Sequence, residues 1–239
     1  IQPAQGDYFQ ACKGGGHGDY HLFVLAPSSV QEMVDHVKLG FEIAEKYRNP
    51  VLLLTDGAIG QMMEKVELFP QMERVQHDQE WATTGKKPGQ PRRYITSLHF
   101  DADAFEQINN KLHAKYMEWQ KSEVRYQAVN CEDADYILTG FGLGARICMK
   151  AMDLGREKGY KIGLVRPITL YPFPTKVYQD LANRGIKGIL DVEMNMGQMV
   201  EDVRLAVEGK TKVEFYGRTG GMIPSPEEIL EQFEKKFIS

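Results

Sequence analysis

Gly14-Gly15-Gly16-His17-Gly18-Asp19 sets an imidazole and a carboxylate directly behind three consecutive glycines, near the start of a 239-residue chain. Glycine enters backbone conformations closed to other residues, so such a turn can bring main-chain N–H groups and short polar side chains close to a small ligand. An imidazole two positions from a carboxylate can orient or exchange a proton with a polar substrate. The wider segment from Pro3 to Asp19 adds Gln5 and Asp7 and leads into an apolar run. Polar loops beside strands are where binding groups concentrate. A glycine-rich terminal tail without a role fits the same residues equally well.

A second polar cluster follows a strand-like run: Asp191, Glu193, Asn195 and Gln198, within Asp191-Val192-Glu193-Met194-Asn195-Met196-Gly197-Gln198. The carboxyl ends of strands in open sheets are where ligand crevices form. A ligand or interface site and plain helix capping are both consistent with it. Two further motifs lose against structural readings. Gly140-Phe141-Gly142-Leu143-Gly144-Ala145 has the spacing of a dinucleotide turn, but the next strand ends in Arg166-Pro167, without the acid that grips the ribose. The glycines are better read as a tight turn allowing close helix–sheet packing. Asp56-Gly57 follows a strand, yet the glycine expected before the Asp of a metal–diphosphate site is Thr55, and the pair Asn109-Asn110 lies in a helix. Asp56 is expected to cap a helix. The six histidines show no ligand spacing, no G-x-S-x-G is present, and Cys12, Cys131 and Cys148 form no C-x-x-C pair. Neither a zinc site nor an iron–sulfur cluster is expected on this chain, and no other metal site.

The elements that must hold these groups read as α/β. A buried strand is expected over 21–26 and a helix from the capping-box pattern Ser29-Val30-Gln31-Glu32 to about Arg48, with Met33, Val37, Phe41 and Ala44 on one face. Another strand follows at 51–55. Periodicity fades over 62–100, a long connection with Pro70, Pro88, Pro91 and the pairs Lys86-Lys87 and Arg92-Arg93. A charged helix over 103–125 carries the stripe Phe105, Ile108, Leu112, Tyr116 and Trp119. Strands at 136–139, 161–165, 188–192 and 212–216 alternate with helices at 145–158, 175–183, 197–207 and from Ser225 to Phe237. Such alternation implies an open parallel sheet with helices on both faces. After the 161–165 strand only a proline-rich loop is expected.

The bulk composition agrees with a globular chain: 42% hydrophobic, 26% charged, net charge −4. An acidic balance without a basic cluster argues against nucleic-acid binding, and no apolar run is long enough to span a membrane. No signal peptide is visible, and the three scattered cysteines suit a reducing cytoplasm.

Taken in order, several blocks resemble the alpha subunit of 2-oxoacid:ferredoxin oxidoreductases, the branched-chain (ketoisovalerate) type above all. The blocks are 3–19, 25–33 (Leu-Ala-Pro-Ser-Ser-Val-Gln-Glu-Met), Asp56-Gly57 with Gln61, 134–146, 163–174, 193–204 and 217–226. The resemblance implies a partial thiamine-type pyrimidine domain followed by a transketolase C-terminal-like parallel-sheet domain. It divides the chain into 1–75 (the C-terminal half of the pyrimidine-binding domain), 76–128 (linker and charged helix) and 129–239 (the transketolase C-terminal-like domain). It implies oxidative decarboxylation of a 2-oxoacid onto coenzyme A, with electrons passed to ferredoxin, in a cytoplasmic heteromeric complex. Thiamine diphosphate and Mg would be shared with a beta subunit. Iron–sulfur clusters would sit on partners only, among them gamma and ferredoxin-like delta subunits. Family members carry further residues ahead of this point, including the Glu that activates the aminopyrimidine, so this chain alone is expected to be inactive. The residues implied to lie near substrate and cofactor are Gln5, Asp7, Gly16, His17, Gly18 and Asp19, with Glu193, Asn195 and Gln198 at an interface or crevice. No catalytic residue is assigned. Pyruvate-type relatives have an Arg near the position of Gly18 that grips the substrate carboxylate. Its absence here suggests that the glycines make room for a branched side chain while His17 or backbone N–H groups take over part of that contact. A docking module without catalytic function is the alternative.

Overall fold

The computed structural model describes residues 2–71 and 81–239. They form two sheets. A three-stranded sheet has the order β2-β1-β6, from Val51–Leu53, Phe23–Leu25 and Thr169–Tyr171. A five-stranded sheet has the order β3-β5-β4-β7-β8, from Tyr126–Val129, Ile162–Pro167, Tyr136–Thr139, Gly188–Glu193 and Val213–Gly217. Within the larger sheet β5, β4, β7 and β8 pair in parallel, and β3 lies antiparallel on β5.

The larger sheet is covered on both faces, which is why its strands read as continuous apolar runs. On one face Leu138, Leu164 and Leu190 meet α4 (Gly142–Glu157) and α7 (Pro226–Phe237) through Met152, Ile229 and Phe233. On the other, Ile137, Val165 and Ile189 meet α5 (Thr175–Arg184) and α6 (Met199–Val207) through Tyr178, Leu181 and Val203. Helix α7 starts on a complete capping box between Ser225 and Glu228, with Pro226 in its first turn.

The smaller sheet packs on α2 (Val30–Tyr47) and α3 (Ala102–Ser122), where Phe23, Leu25 and Ile43 meet Tyr116 and Trp119. Its opposite side joins the core of the larger sheet: Val24 and Ala26 share one cluster with Tyr8, Tyr178 and Leu181. The two sheets therefore have a common apolar interior.

Four sequence expectations change. The stretch after β5 is not only a proline-rich loop. Ile168 alone separates β5 from β6, which pairs antiparallel with β1, so the chain steps directly from one sheet to the other. Strand β3, ahead of the second α/β unit, had no apolar alternation to announce it, because three of its four residues are exposed on the sheet edge. The stripe of α2 is also turned: His36, Gly40 and Ile43 are its buried residues, while Val37 (43%) and Phe41 (69%) stay exposed. They flank a shallow apolar groove beside Val51 and Leu53 of the edge strand β2. Finally, the capping box at Ser29 is shared out. Ser29 Oγ accepts from the Glu32 amide (3.1 Å), but the Glu32 carboxylate turns to Ser28 N (2.8 Å).

Residues 62–71 and 81–101 carry no regular secondary structure beyond isolated turns. The expected boundary between residues 75 and 76 lies outside the described residues. Among them no helix is long and apolar enough to cross a membrane.

Candidate functional site

The segment from Pro3 to Asp19 splits into two parts with opposite character. Helix α1 (Tyr8–Cys12) is anchored in the core: Tyr8 is fully buried, and Ala11 and Cys12 nearly so. Burial, with the Asp202 carboxylate accepting from its hydroxyl at 2.6 Å, raises the Tyr8 phenol well above its ordinary range. Burial also pushes the Cys12 thiol up, which leaves it inert as a nucleophile. The part after α1 turns outward. A single turn of 3-10 helix, Gly14–Gly16, leads to Gly16, His17, Gly18 and Asp19, all exposed. Gly14 must be glycine: its φ is +60°, and a Cβ there would meet the Tyr20 carbonyl oxygen at 2.7 Å.

The first part is fastened to the end of β7. Gln5 is 5% exposed and makes a two-way bridge, its amide donating to Met194 O (2.9 Å) and its Oε1 accepting from Met194 N (2.9 Å). Its Nε2 donates to Phe141 O (2.8 Å), and its carbonyl accepts from Asn195 Nδ2 (2.8 Å). Gln198 continues the seam, with Oε1 accepting from Phe9 N and Nε2 donating to Gly6 O, both at 2.9 Å. Lys13 pairs with Asp202 at the far end.

Glu193 organises this joint from below. It is fully buried and accepts four hydrogen bonds, from the amides of Gln198 (3.0 Å), Met199 (2.9 Å) and Val200 (3.1 Å) and from Asn195 Nδ2 (2.8 Å). A carboxylate there satisfies the orphan amides at the start of α6 and faces its positive end. Asp191, two residues back on the same strand face, differs. It too is fully buried, but neither carboxyl oxygen meets a donor. Burial first, then the Glu193 charge, push its carboxyl well above the usual range.

The two motifs set aside in the sequence belong to the same joint. Asp56 Oδ1 accepts from Ala58 N (3.1 Å) and Ile59 N (3.0 Å), capping a short turn, while its Oδ2 accepts from Leu143 N (3.0 Å) at the start of α4. Gly142 has φ +53°, and a Cβ there would meet Asp56 Oδ2 at 3.0 Å and Gln5 Nε2 at 3.1 Å. The dinucleotide-like turn is thus occupied by Asp56, which follows β2, and by Gln5 of the N-terminal segment. Arg166, at the end of β5, reaches Glu32 of α2 with both terminal nitrogens at 2.7 Å. Burial alone would raise Glu32; the Arg166 and Ser28 hydrogen bonds outweigh it and hold the carboxyl below its usual range.

The candidate residues therefore separate. Gln5, Glu193, Asn195 and Gln198 come together and are saturated by partners in the same chain. Asp7 is exposed at the start of α1 and lines a small recess with Thr55 and Asp56. Gly16, His17, Gly18 and Asp19 stand apart on the surface. Sequence reasoning passed over His21. It stacks on Tyr171 at 4.0 Å and borders a cleft of about 550 Å³ between α1, α5 and the end of α3, together with Cys12, Lys13, Phe173 and Lys176. Desolvation lowers the His21 pKa, which keeps the ring neutral near pH 7. Only the antiparallel return of β6, which carries Tyr171, builds that stack.

Among the described residues no three His, Cys, Asp or Glu side chains converge, and both oxygens of Asp56 are taken by backbone amides.

Comparison with known proteins adds lineage to this geometry. Residues 1–128 match the thiamine-diphosphate-binding domain of pyruvate flavodoxin/ferredoxin oxidoreductase, and residues 134–229 match core domain II of pyruvate:ferredoxin oxidoreductase. The chain is 43% identical over 237 residues to ketoisovalerate oxidoreductase subunit VorB of Methanothermobacter thermautotrophicus, covering 98% of this chain and 66% of that relative. It is 32% identical to 2-oxoglutarate synthase subunit KorA of Methanocaldococcus jannaschii, covering 95% and 66%. The chain thus spans 66% of the length of these curated relatives. Its fold is that of the 2-oxoglutarate:ferredoxin oxidoreductase from Magnetococcus marinus, at TM-score 0.79 and 22% identity, over 99% of this chain and 46% of that one. Both halves of the joint fall in regions of one lineage, and the chain belongs to the pyruvate flavodoxin/ferredoxin oxidoreductase family.

Proposed function

We propose that this chain acts as the alpha-type subunit, or a portion of it, of a thiamine-diphosphate-dependent 2-oxoacid:ferredoxin oxidoreductase that converts a branched-chain 2-oxoacid to its acyl-CoA. The observation that carries the reading is the 43% identity to a ketoisovalerate oxidoreductase subunit over nearly the whole chain, against 32% to a 2-oxoglutarate synthase subunit. The division into 1–75, 76–128 and 129–239 is part of the same proposal.

In this reading the exposed turn Gly16–Asp19 faces the substrate and cofactor, and the joint at Gln5 and Glu193 holds it steady from behind. Metal and diphosphate are held by a beta subunit. The iron–sulfur clusters belong to partners: Cys12, Cys131 and Cys148 are all free and buried. Gamma and delta subunits and ferredoxin complete the electron path. Alone, the 239 residues are inactive.

The test is reconstitution with the partner subunits and reduction of a viologen dye in the presence of coenzyme A. The branched 2-oxoacid should exceed 2-oxoglutarate and pyruvate by about tenfold or more in kcat/KM, the scale on which a pocket discriminates one or two methylenes. Preference for 2-oxoglutarate, or turnover by the chain alone, would refute the reading. A second reading, a docking module without catalytic role, draws on the exposed apolar face of Val37 and Phe41. A complex that keeps its rate when His17 and Asp19 are both changed to Ala would favour it.

A further inference from the structure

The cleft between α1, α5 and the end of α3, at about 550 Å³, has the size of a small-molecule site. The core residues Cys12 and Leu170 close it at the bottom. One part of its wall is aromatic. Tyr171 stacks on His21 at 4.0 Å, and Phe173 stacks on the fully buried Tyr178 at 5.4 Å. These rings are fixed before any ligand arrives, so binding need not order them. Tyr126, on the edge strand β3, lines the same cleft and is 45% exposed.

The rest of the wall is charged, with Lys13, Lys121 and Lys176 against Asp180 and Asp202. Lys13 is held by Asp202, and Lys176 meets Asp180 at 2.9 Å in an exposed i,i+4 pair of the kind that water and salt weaken. Lys121 has no carboxylate partner among the described residues. Helix α5 begins at the cleft with Thr175 and Lys176, and its first turn carries neither an acid nor a side-chain cap. The amides of that turn and the helix dipole add to the positive field of the lysines. Gln120 and Gln179 place amide donors and acceptors on the same walls.

We propose that this cleft binds a nucleotide, its base packed against the aromatic wall and its phosphates between Lys121, Lys176 and the start of α5. A planar ring joined to a multiply charged group is the chemistry that uses both walls at once. A single carboxylate would meet only one of the cations, and a bare phosphate would leave the rings unused. Two sources carry this chemistry: a free adenine nucleotide and the nucleotide end of coenzyme A. The site does not depend on the proposed activity.

Isothermal titration calorimetry on the 239-residue chain tests it, with ADP, coenzyme A, adenosine and inorganic phosphate as probes. ADP or coenzyme A should bind more tightly than adenosine and phosphate, and more weakly as salt rises. Coenzyme A well ahead of ADP identifies the acyl carrier as the source; ADP equal or ahead identifies a free nucleotide. Lys121→Glu/Lys176→Glu should weaken nucleotide binding by about tenfold or more, the scale of losing hydrogen bonds to charged groups. Tyr126→Ala should weaken it by about fivefold or more, the scale of one base stacked on a ring, and leave inorganic phosphate as it was. Lys150→Glu, on α4 across the larger sheet, should change nothing. Unchanged circular dichroism and thermal unfolding of each variant exclude misfolding. No binding of either nucleotide, phosphate bound as tightly as ADP, or affinities indifferent to the lysine pair or to Tyr126 would overturn the proposal.

Discussion

Residues 5–9 run into one short helix, residues 16–19 come after it, and the two behave as opposites. In the first, hydrogen-bonding groups of Gln5, Gly6 and Phe9 are met by Phe141, Met194, Asn195 and Gln198. In the second, Gly16 to Asp19 stand in solvent. The difference separates two jobs that polar residues do. A saturated buried polar group fixes geometry and has nothing left for a ligand. An exposed unsatisfied one contributes little to folding and is free to bind.

The sharpest way to break this comparison is Glu193→Gln. It replaces a carboxylate accepting four bonds with an amide that sets an N–H₂ against backbone donors. A loss of about 3 kcal/mol is expected from buried bonds to a charged group, read by urea unfolding at constant m-value. A loss under about 1 kcal/mol would mean the joint is not what holds the segment. Gln5→Ala comes next. It strands Met194 N–H and Phe141 C=O and should cost about 2 kcal/mol, with faster amide exchange at Met194.

Two carboxyls, Glu32 partly buried and Asp191 fully buried, give opposite pH signs. Glu32 titrates below its ordinary value in the folded state. Its contribution is therefore complete above about pH 4.3 and is lost as pH falls through the folded value. Glu32→Gln should flatten that acid limb of the stability profile. Asp191 titrates above its ordinary value. Its contribution is complete below about pH 3.9 and is lost as pH rises through the folded value. Asp191→Asn should gain on wild type as pH is raised. Parallel curves for Asp191→Asn and wild type would show that the Asp191 carboxyl is not shifted upward in the fold. The smallest effect on folding belongs to His17→Ala, within about 0.5 kcal/mol. In the reconstituted complex it should raise KM for the branched 2-oxoacid. A shift in stability with no change in KM would reverse the roles assigned to the two segments.

Much of the fold was legible because its signals are local. Continuous apolar runs and the cap at Ser225 mark β7 and α7 without help from elsewhere. Strand β6 was not legible, since Thr169–Tyr171 gains its meaning only from pairing with β1, far earlier in the chain. Val37 and Phe41 fell on a regular helical stripe, but periodicity reports a face and not its covering.

For the candidate site, the residue types at 14–19 and 191–198 determined by themselves that two polar, glycine-bearing turns exist and follow or precede apolar strands. Whether a polar group is available depends on what lies opposite it, and that is a long-range property. Tertiary structure alone decided that Asn195 and Gln198 are consumed by Gln5, Gly6 and Phe9, nearly two hundred residues away in sequence, while Glu193 is met locally by Asn195 and the start of α6. It alone turned a dinucleotide-like glycine run into a seat for Asp56, and Arg166 into the partner of Glu32. The physical reason is the same each time: burial removes water as the default partner, so the fold must supply another, and only the packed chain specifies which.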